Sequence, residues 1–209
     1  MTARWVVDEV MSERELSVLW QPISLLEKNQ PDPDSEYYGP SKQTHQYLRV
    51  MEALRKSTEA ETGRKTVSTM NDSGEIDDPI FRFYWQLGSR IHHDGELHFD
   101  VAEALEAAGL DTALASAADD PSWDAEIKQR MGGGLALAGD DVGTPLIALD
   151  NDDGERVALF GPVITRAPTG ETALRLWDGF VAMATVPGFW EAKRTRTERP
   201  DFGDRPVSD

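Results

Sequence analysis

Cysteine is absent from all 209 residues. That excludes structural disulfides, thiolate metal ligands and any catalytic thiol belonging to the chain itself. Positive charge is scarce as well: 21 Lys and Arg stand against 38 Asp and Glu, a formal net charge of −17. Phosphate backbones are held by concentrated Lys and Arg, so the balance argues against a nucleic-acid partner, and an anionic bilayer would repel the chain for the same reason. No apolar run approaches the ~18 residues of a transmembrane helix. The opening MTARWVVDEVMSERE is amphipathic and acidic, unlike the basic and then apolar leader of an exported protein. The expectation is a soluble, cytoplasmic protein of one compact unit, or of a small domain carrying a large insertion.

Metal and nucleotide signatures are missing too. His92 and His93 are adjacent, and neighbours on a helix point about 100° apart, so they do not converge on one ion. The acidic groups at Asp119-Asp120 and from Asp150 to Glu155 lack calcium-loop spacing. Gly132-Gly133-Gly134 precedes no Lys-Ser or Lys-Thr, so it is not a phosphate loop.

What is present is mostly helical. Thr2 is an N-cap candidate before Trp5, Val6, Val7 and Val10, which give a first helix one apolar stripe. Leu16 to Leu26 has strand composition, limited by Pro22 to an early end or an edge. Helical spacing recurs over 41–55, and 57–78 reads as a polar loop. Asp78-Pro79 opens a helix faced by Ile80, Phe83, Tyr84, Leu87 and Ile91. Shorter helices follow over 99–108, closed by Gly109, and over 121–137, with a weak break at the glycines. Then 144–149 and 157–160 form a hairpin around an acidic turn, and 172–184 is a last amphipathic helix.

Four stretches carry a resemblance: Arg90-Ile91-His92, Asp141-Val142-Gly143-Thr144-Pro145, Leu159-Phe160-Gly161-Pro162-Val163, and Lys193-Arg194-Thr195-Arg196-Thr197-Glu198 with Pro200. Together with the element order they make the chain similar, over nearly its whole length, to actinobacterial DsbA-family proteins typified by mycothiol-dependent nitroreductase. The resemblance implies an α/β, thioredoxin-like fold with a large helical insertion. Residues 1–36 and 141–209 would form the thioredoxin-like part, and 37–140 the insertion. It implies a thiol-disulfide oxidoreductase that uses a low-molecular-weight thiol of the mycothiol type, not tightly bound, to reduce a disulfide or a small electrophile.

In that family a Cys-Pro-X-Cys motif follows the first strand and caps the first helix, where unpaired N–H groups stabilise a thiolate. Thr2-Ala3-Arg4-Trp5 resembles the helix just after that motif, so the catalytic cysteine and first strand are expected upstream of Met1. Without that strand, the segments at Leu16–Pro22 and Leu146–Leu149 must pair otherwise, for example by recruiting Lys65 to Thr69. The resemblance further implies a cis Thr144-Pro145 bond facing the start of the first helix, with Gly143, Thr144, Pro145 and Thr2 at the thiol site. Asn29 and Tyr38, or its neighbour Tyr37, are secondary binding candidates. Lys193, Arg194 and Arg196 are expected to satisfy carbonyls at a helix end and pair with local acids, the alternative being attraction of an anionic substrate. Two other functions fit the same pattern: a kappa-class-like thiol transferase or isomerase, with Thr2 the one hydroxyl placed to polarise a bound thiol, and a redox-inactive binding protein.

Overall fold

The structure, a computed structural model, describes residues 1–205. The chain folds as two compact units: Met1–Leu16 with Gly133–Asp204, and Ser17–Gly132 with Arg205. The division falls at the triple glycine inside a continuous helix, since Asp124–Ala138 (α6) runs through it without a break. Among the described residues no helix is long and apolar enough to cross a membrane.

The first unit opens with Thr2–Trp5 (α1), which widens directly into a π-helical turn over Val6–Val10. Leu146–Asp150 (β1) and Arg156–Phe160 (β2) pair antiparallel, from Leu146 opposite Phe160 to Asp150 opposite Arg156. The turn closes because the Asn151 side chain accepts from the Asp153 and Glu155 amides, with Gly154 at φ +78, a conformation that suits glycine. Gly170–Ala184 (α7) packs on the π-helical turn and on β2. The Trp5 ring lies 5.9 Å from that of Trp177, and its indole N–H donates to the Ala173 carbonyl at 3.2 Å. Ala173 and Phe180 are the buried residues of α7; Leu174, Leu176 and Trp177 are half-buried.

The second unit is helical. Tyr38–Thr62 (α3) is its axis, with Leu25–Asn29 (α2), Pro79–His92 (α4), Val101–Ala107 (α5) and a 3-10 stretch over Thr112–Asp119 around it. Tyr47, Val50, Leu54, Ile80, Phe83 and Leu105 lead the buried cluster. Aspartates start three of these segments and a short 3-10 turn over Pro121–Trp123: Asp78, Asp100, Asp111 and Asp120 each accept the amide two residues on, at Ile80, Ala102, Ala113 and Ser122. Each such cap is worth about 1 kcal/mol, which explains part of the acidic excess.

Several expectations are corrected. Thr2 is not an N-cap but lies inside α1, and its hydroxyl is engaged elsewhere. No strand forms over Leu16 to Leu26: Val18 makes one isolated antiparallel bridge to Ser68, in the segment expected to be recruited. Pro22 lacks an amide to continue a ladder, and Ser24 instead caps α2 by accepting from Glu27 N–H. The loop expected from residue 57 starts later, because α3 continues to Thr62 and ends at Gly63, φ +66.

Candidate functional site

The hairpin's proline end gathers most of the predicted site residues within the first unit. Thr144-Pro145, entering β1, is cis as the resemblance implies, and Gly161-Pro162, leaving β2, is cis as well. Gly161 N–H donates to the Pro145 carbonyl at 2.9 Å. The Thr2 hydroxyl donates to the Pro162 carbonyl, also at 2.9 Å. These two bonds tie the start of α1 to both prolines. Gly143 lies close beside them: a β-carbon there would come within 3.2 Å of the Phe160 ring, which would have to shift by a few tenths of an ångström. Thr144 is exposed, and its backbone N–H and C=O make no hydrogen bond among the described residues. An extended ligand or the amide of a small thiol finds one donor and one acceptor there.

Asn29 and Tyr38 belong to the other unit: Asn29 is the last residue of α2 and Tyr38 the first of α3. Tyr37 precedes α3 and is largely exposed.

Sequence reasoning missed two polar assemblies in the helical unit, because their members are far apart in the chain. In the first, Ser24 Oγ lies 2.8 Å from His45 Nδ1, and His45 Nε2 lies 2.9 Å from Asp124 Oδ1. Ser24 and His45 are 1% and 2% exposed. With Nε2 as donor to Asp124 and Nδ1 accepting from Ser24, every ring position is satisfied. Arg49 grips the same carboxylate through Nε at 2.6 Å and Nη2 at 2.9 Å. Burial alone would raise the Asp124 carboxyl; the hydrogen bonds from Arg49 and His45 hold it below the usual carboxylate range. The order Ser-His-Asp is not a nucleophilic triad here, since Ser24 is buried and occupied as a cap. Glu27, His45 and Asp124 also come within reach of one ion, but Lys128, Ser24 and Arg49 already occupy their ligand atoms.

In the second assembly Glu52, with a fully buried carboxylate, lies between Arg55 (Nε 3.3 Å away) and Arg130 (Nε 2.8 Å away). Burial pushes its carboxyl up, and the two guanidinium groups pull against that shift. Arg55 also donates to Thr66 Oγ1 and the Trp20 carbonyl, each at 2.8 Å. A cavity of about 600 Å³ opens beside this chain of charges, near Lys56, Trp123 and Glu126. Its charges are already matched: Glu126 pairs with Arg130, and Lys56 sits over the Trp123 ring. Periodicity could not have found either group, because a lone Glu, Arg or His on a helix face reads as solvated surface.

Residues 1–194 match the family described as Rv2466c-like, mycothiol-dependent nitroreductase Rv2466c. The chain is also 32% identical over 120 residues to the uncharacterized protein Rv2286c of Mycobacterium tuberculosis (strain ATCC 25618 / H37Rv), a match covering 56% of this chain and 49% of that protein. The chain thus spans about half the length of the curated relative it matches.

Proposed function

The chain belongs to the Rv2466c-like family of mycothiol-dependent nitroreductases, and from that premise we propose a thiol-dependent oxidoreductase of the DsbA type, with a thioredoxin-like fold, whose sulfur chemistry is supplied from outside these 209 residues. The proline end of the hairpin is its thiol-binding element. A mycothiol-type thiol lies along Thr144, its amide groups pairing with the Thr144 backbone. In the exchange, a thiolate attacks one sulfur of a substrate disulfide, the S–S bond breaks, and the departing thiolate takes a proton. A second thiol then releases the mixed disulfide, so that two thiols are oxidised to one disulfide as two electrons and two protons pass to the substrate. Reduction of a small nitro compound draws its electrons from the same thiol pair.

The observation that carries this reading is the unpartnered, exposed Thr144 backbone beside the Thr2–Pro162 and Gly161–Pro145 hydrogen bonds. The same geometry disfavours a transferase in which Thr2 polarises the thiol, because the Thr2 proton is already given to the Pro162 carbonyl. Amide-resolved NMR of the chain titrated with mycothiol tests it. Shifts concentrated at Gly143, Thr144, Leu146 and Thr2 are expected, with the protein mass unchanged, since no side chain here can form a mixed disulfide. Shifts confined to the helical unit, or none, overturn the assignment of the site. Disulfide reduction by the chain without added thiol overturns the mechanism.

A further inference from the structure

The cationic run near the end of the chain does neither of the two things expected of it by default. α7 ends at Ala184, so Lys193, Arg194, Arg196 and Arg199 are too far along to cap it. None of the four makes an ion pair or side-chain hydrogen bond among the described residues, although the chain carries 38 acids. Residues 191–200 are exposed throughout and lie outside any helix or strand, and no backbone amide from 191 to 200 donates a bond within the described residues. This strap is nonetheless tethered at both ends, by Phe189 N–H to the Val186 carbonyl and Asp201 N–H to the Thr165 carbonyl. Two hydroxyls, those of Thr195 and Thr197, stand among its cations, exposed and without a hydrogen bond among the described residues.

A segment of this kind fits the cleft of a protein kinase. Such a cleft takes its substrate as an extended chain with free amides, and an arginine-directed kinase reads a guanidinium three residues before the acceptor through carboxylates of its own. Among the described residues an arginine stands three places before Ser17, Thr58, Thr169 and Thr197. At the first three the arginine is already engaged. Arg14 holds Asp178 through bonds of 2.9 and 2.8 Å, Arg55 is buried beside Glu52, and Arg166 holds Asp201 at 2.6 Å. At Thr197 the arginine is Arg194, exposed and unpaired, whereas Thr195 has Ala192 in the corresponding place. We propose that Thr197 is a phosphorylation site for an arginine-directed serine/threonine kinase. Thr197 Oγ1 attacks the γ-phosphorus of magnesium ATP, the bond from that phosphorus to the β–γ bridging oxygen breaks, ADP leaves, and the hydroxyl proton passes to the kinase's catalytic aspartate. The product sets a charge of about −2 among the four cations. Arg194, Arg196 and Arg199 then donate to the phosphate oxygens, which gives the strap the anionic partner that the chain's own carboxylates do not supply.

Incubating the 209-residue chain with magnesium ATP and an arginine-directed kinase, followed by peptide mass mapping, tests the site. A single phosphate at Thr197 is expected. Thr197→Ala should abolish incorporation, Thr197→Ser should restore it, and Arg194→Ala should lower the initial rate at least about tenfold. Each substitution lies on the exposed strap, so the thermal melt of each variant should match that of the parent. Phosphorus NMR of the product reads the pairing. Neighbouring guanidinium groups hold the second ionisation of the phosphate below its ordinary value of about 6, and Arg196→Gln with Arg199→Gln should bring it back. No incorporation, incorporation at Ser17, Thr58, Thr169 or Thr195 in place of Thr197, a rate indifferent to Arg194→Ala, or a phosphate that titrates as a free one overturns the proposal.

Discussion

The two units bury different chemistry. The first is held mainly by apolar side chains, Trp5, Val10, Met11 and Phe180, and its long-range polar links run from side chains to backbone or lie at the surface. The helical unit buries charge: Glu52 and Arg55 are each 1% exposed, with Ser24 and His45 beside Asp124. An apolar core loses stability in proportion to the area and cavity of a truncation. A buried ion pair behaves differently, because removing one partner strands the other in a poor solvent. The helical unit should therefore be the more sensitive to single polar substitutions and the more tolerant of paired ones.

The largest effect expected is at Arg55. Arg55→Ala should cost about 3–5 kcal/mol in urea unfolding, because Glu52 is left with only Arg130 and the Thr66 and Trp20 acceptors lose their donor. Glu52→Leu combined with Arg55→Met should cost clearly less than the sum of the two single changes. Additive losses would mean that the pair is not the unit of stability there. Next, Phe180→Ala should cost about 3 kcal/mol through the lost apolar burial and the cavity left behind. A loss that changes with pH would break the contrast between the two cores.

The acid limb sharpens the comparison. Asp124 is held below its usual range in the folded state, so its bonds to Arg49 and His45 contribute stability above the ordinary carboxylate range and lose it as pH falls through the folded value. Glu52 is raised, so its ionisation weakens the fold at neutral pH, and that cost fades on acidification. Asp124→Asn should lower the melting temperature most near pH 7, and the difference from the parent chain should shrink below about pH 4. A constant difference would assign the effect to packing. The smallest effect belongs to the first unit's surface pair, Arg14 with Asp178. Arg14→Ala should leave the melting temperature within error of the parent, since exposed pairs are screened and entropically costly.

Much of the architecture was legible because it is local. Asp78-Pro79 announced α4 through a cap and an N1 proline, Gly109 closed the α5 turn at φ +67, and the acidic Asn-Asp-Asp-Gly turn located the hairpin. The stretch around Val18 was misread because β-propensity reflects packing on a neighbouring strand, and its one partner, Ser68, is fifty residues away. At the proline end of the hairpin, the cis Thr144-Pro145 bond was legible through the family pattern, whereas the second cis bond at Pro162 was not.

Composition alone determined that no thiol chemistry can originate in these 209 residues, since no conformation creates a sulfur nucleophile where there is no cysteine. Tertiary structure alone decided which charges are buried and matched, as with Glu52 between Arg55 and Arg130, and which are left exposed and unpaired, as along Lys193 to Arg199. A residue's charge is written in the chain, but its worth depends on the solvent and the partners that folding assigns to it.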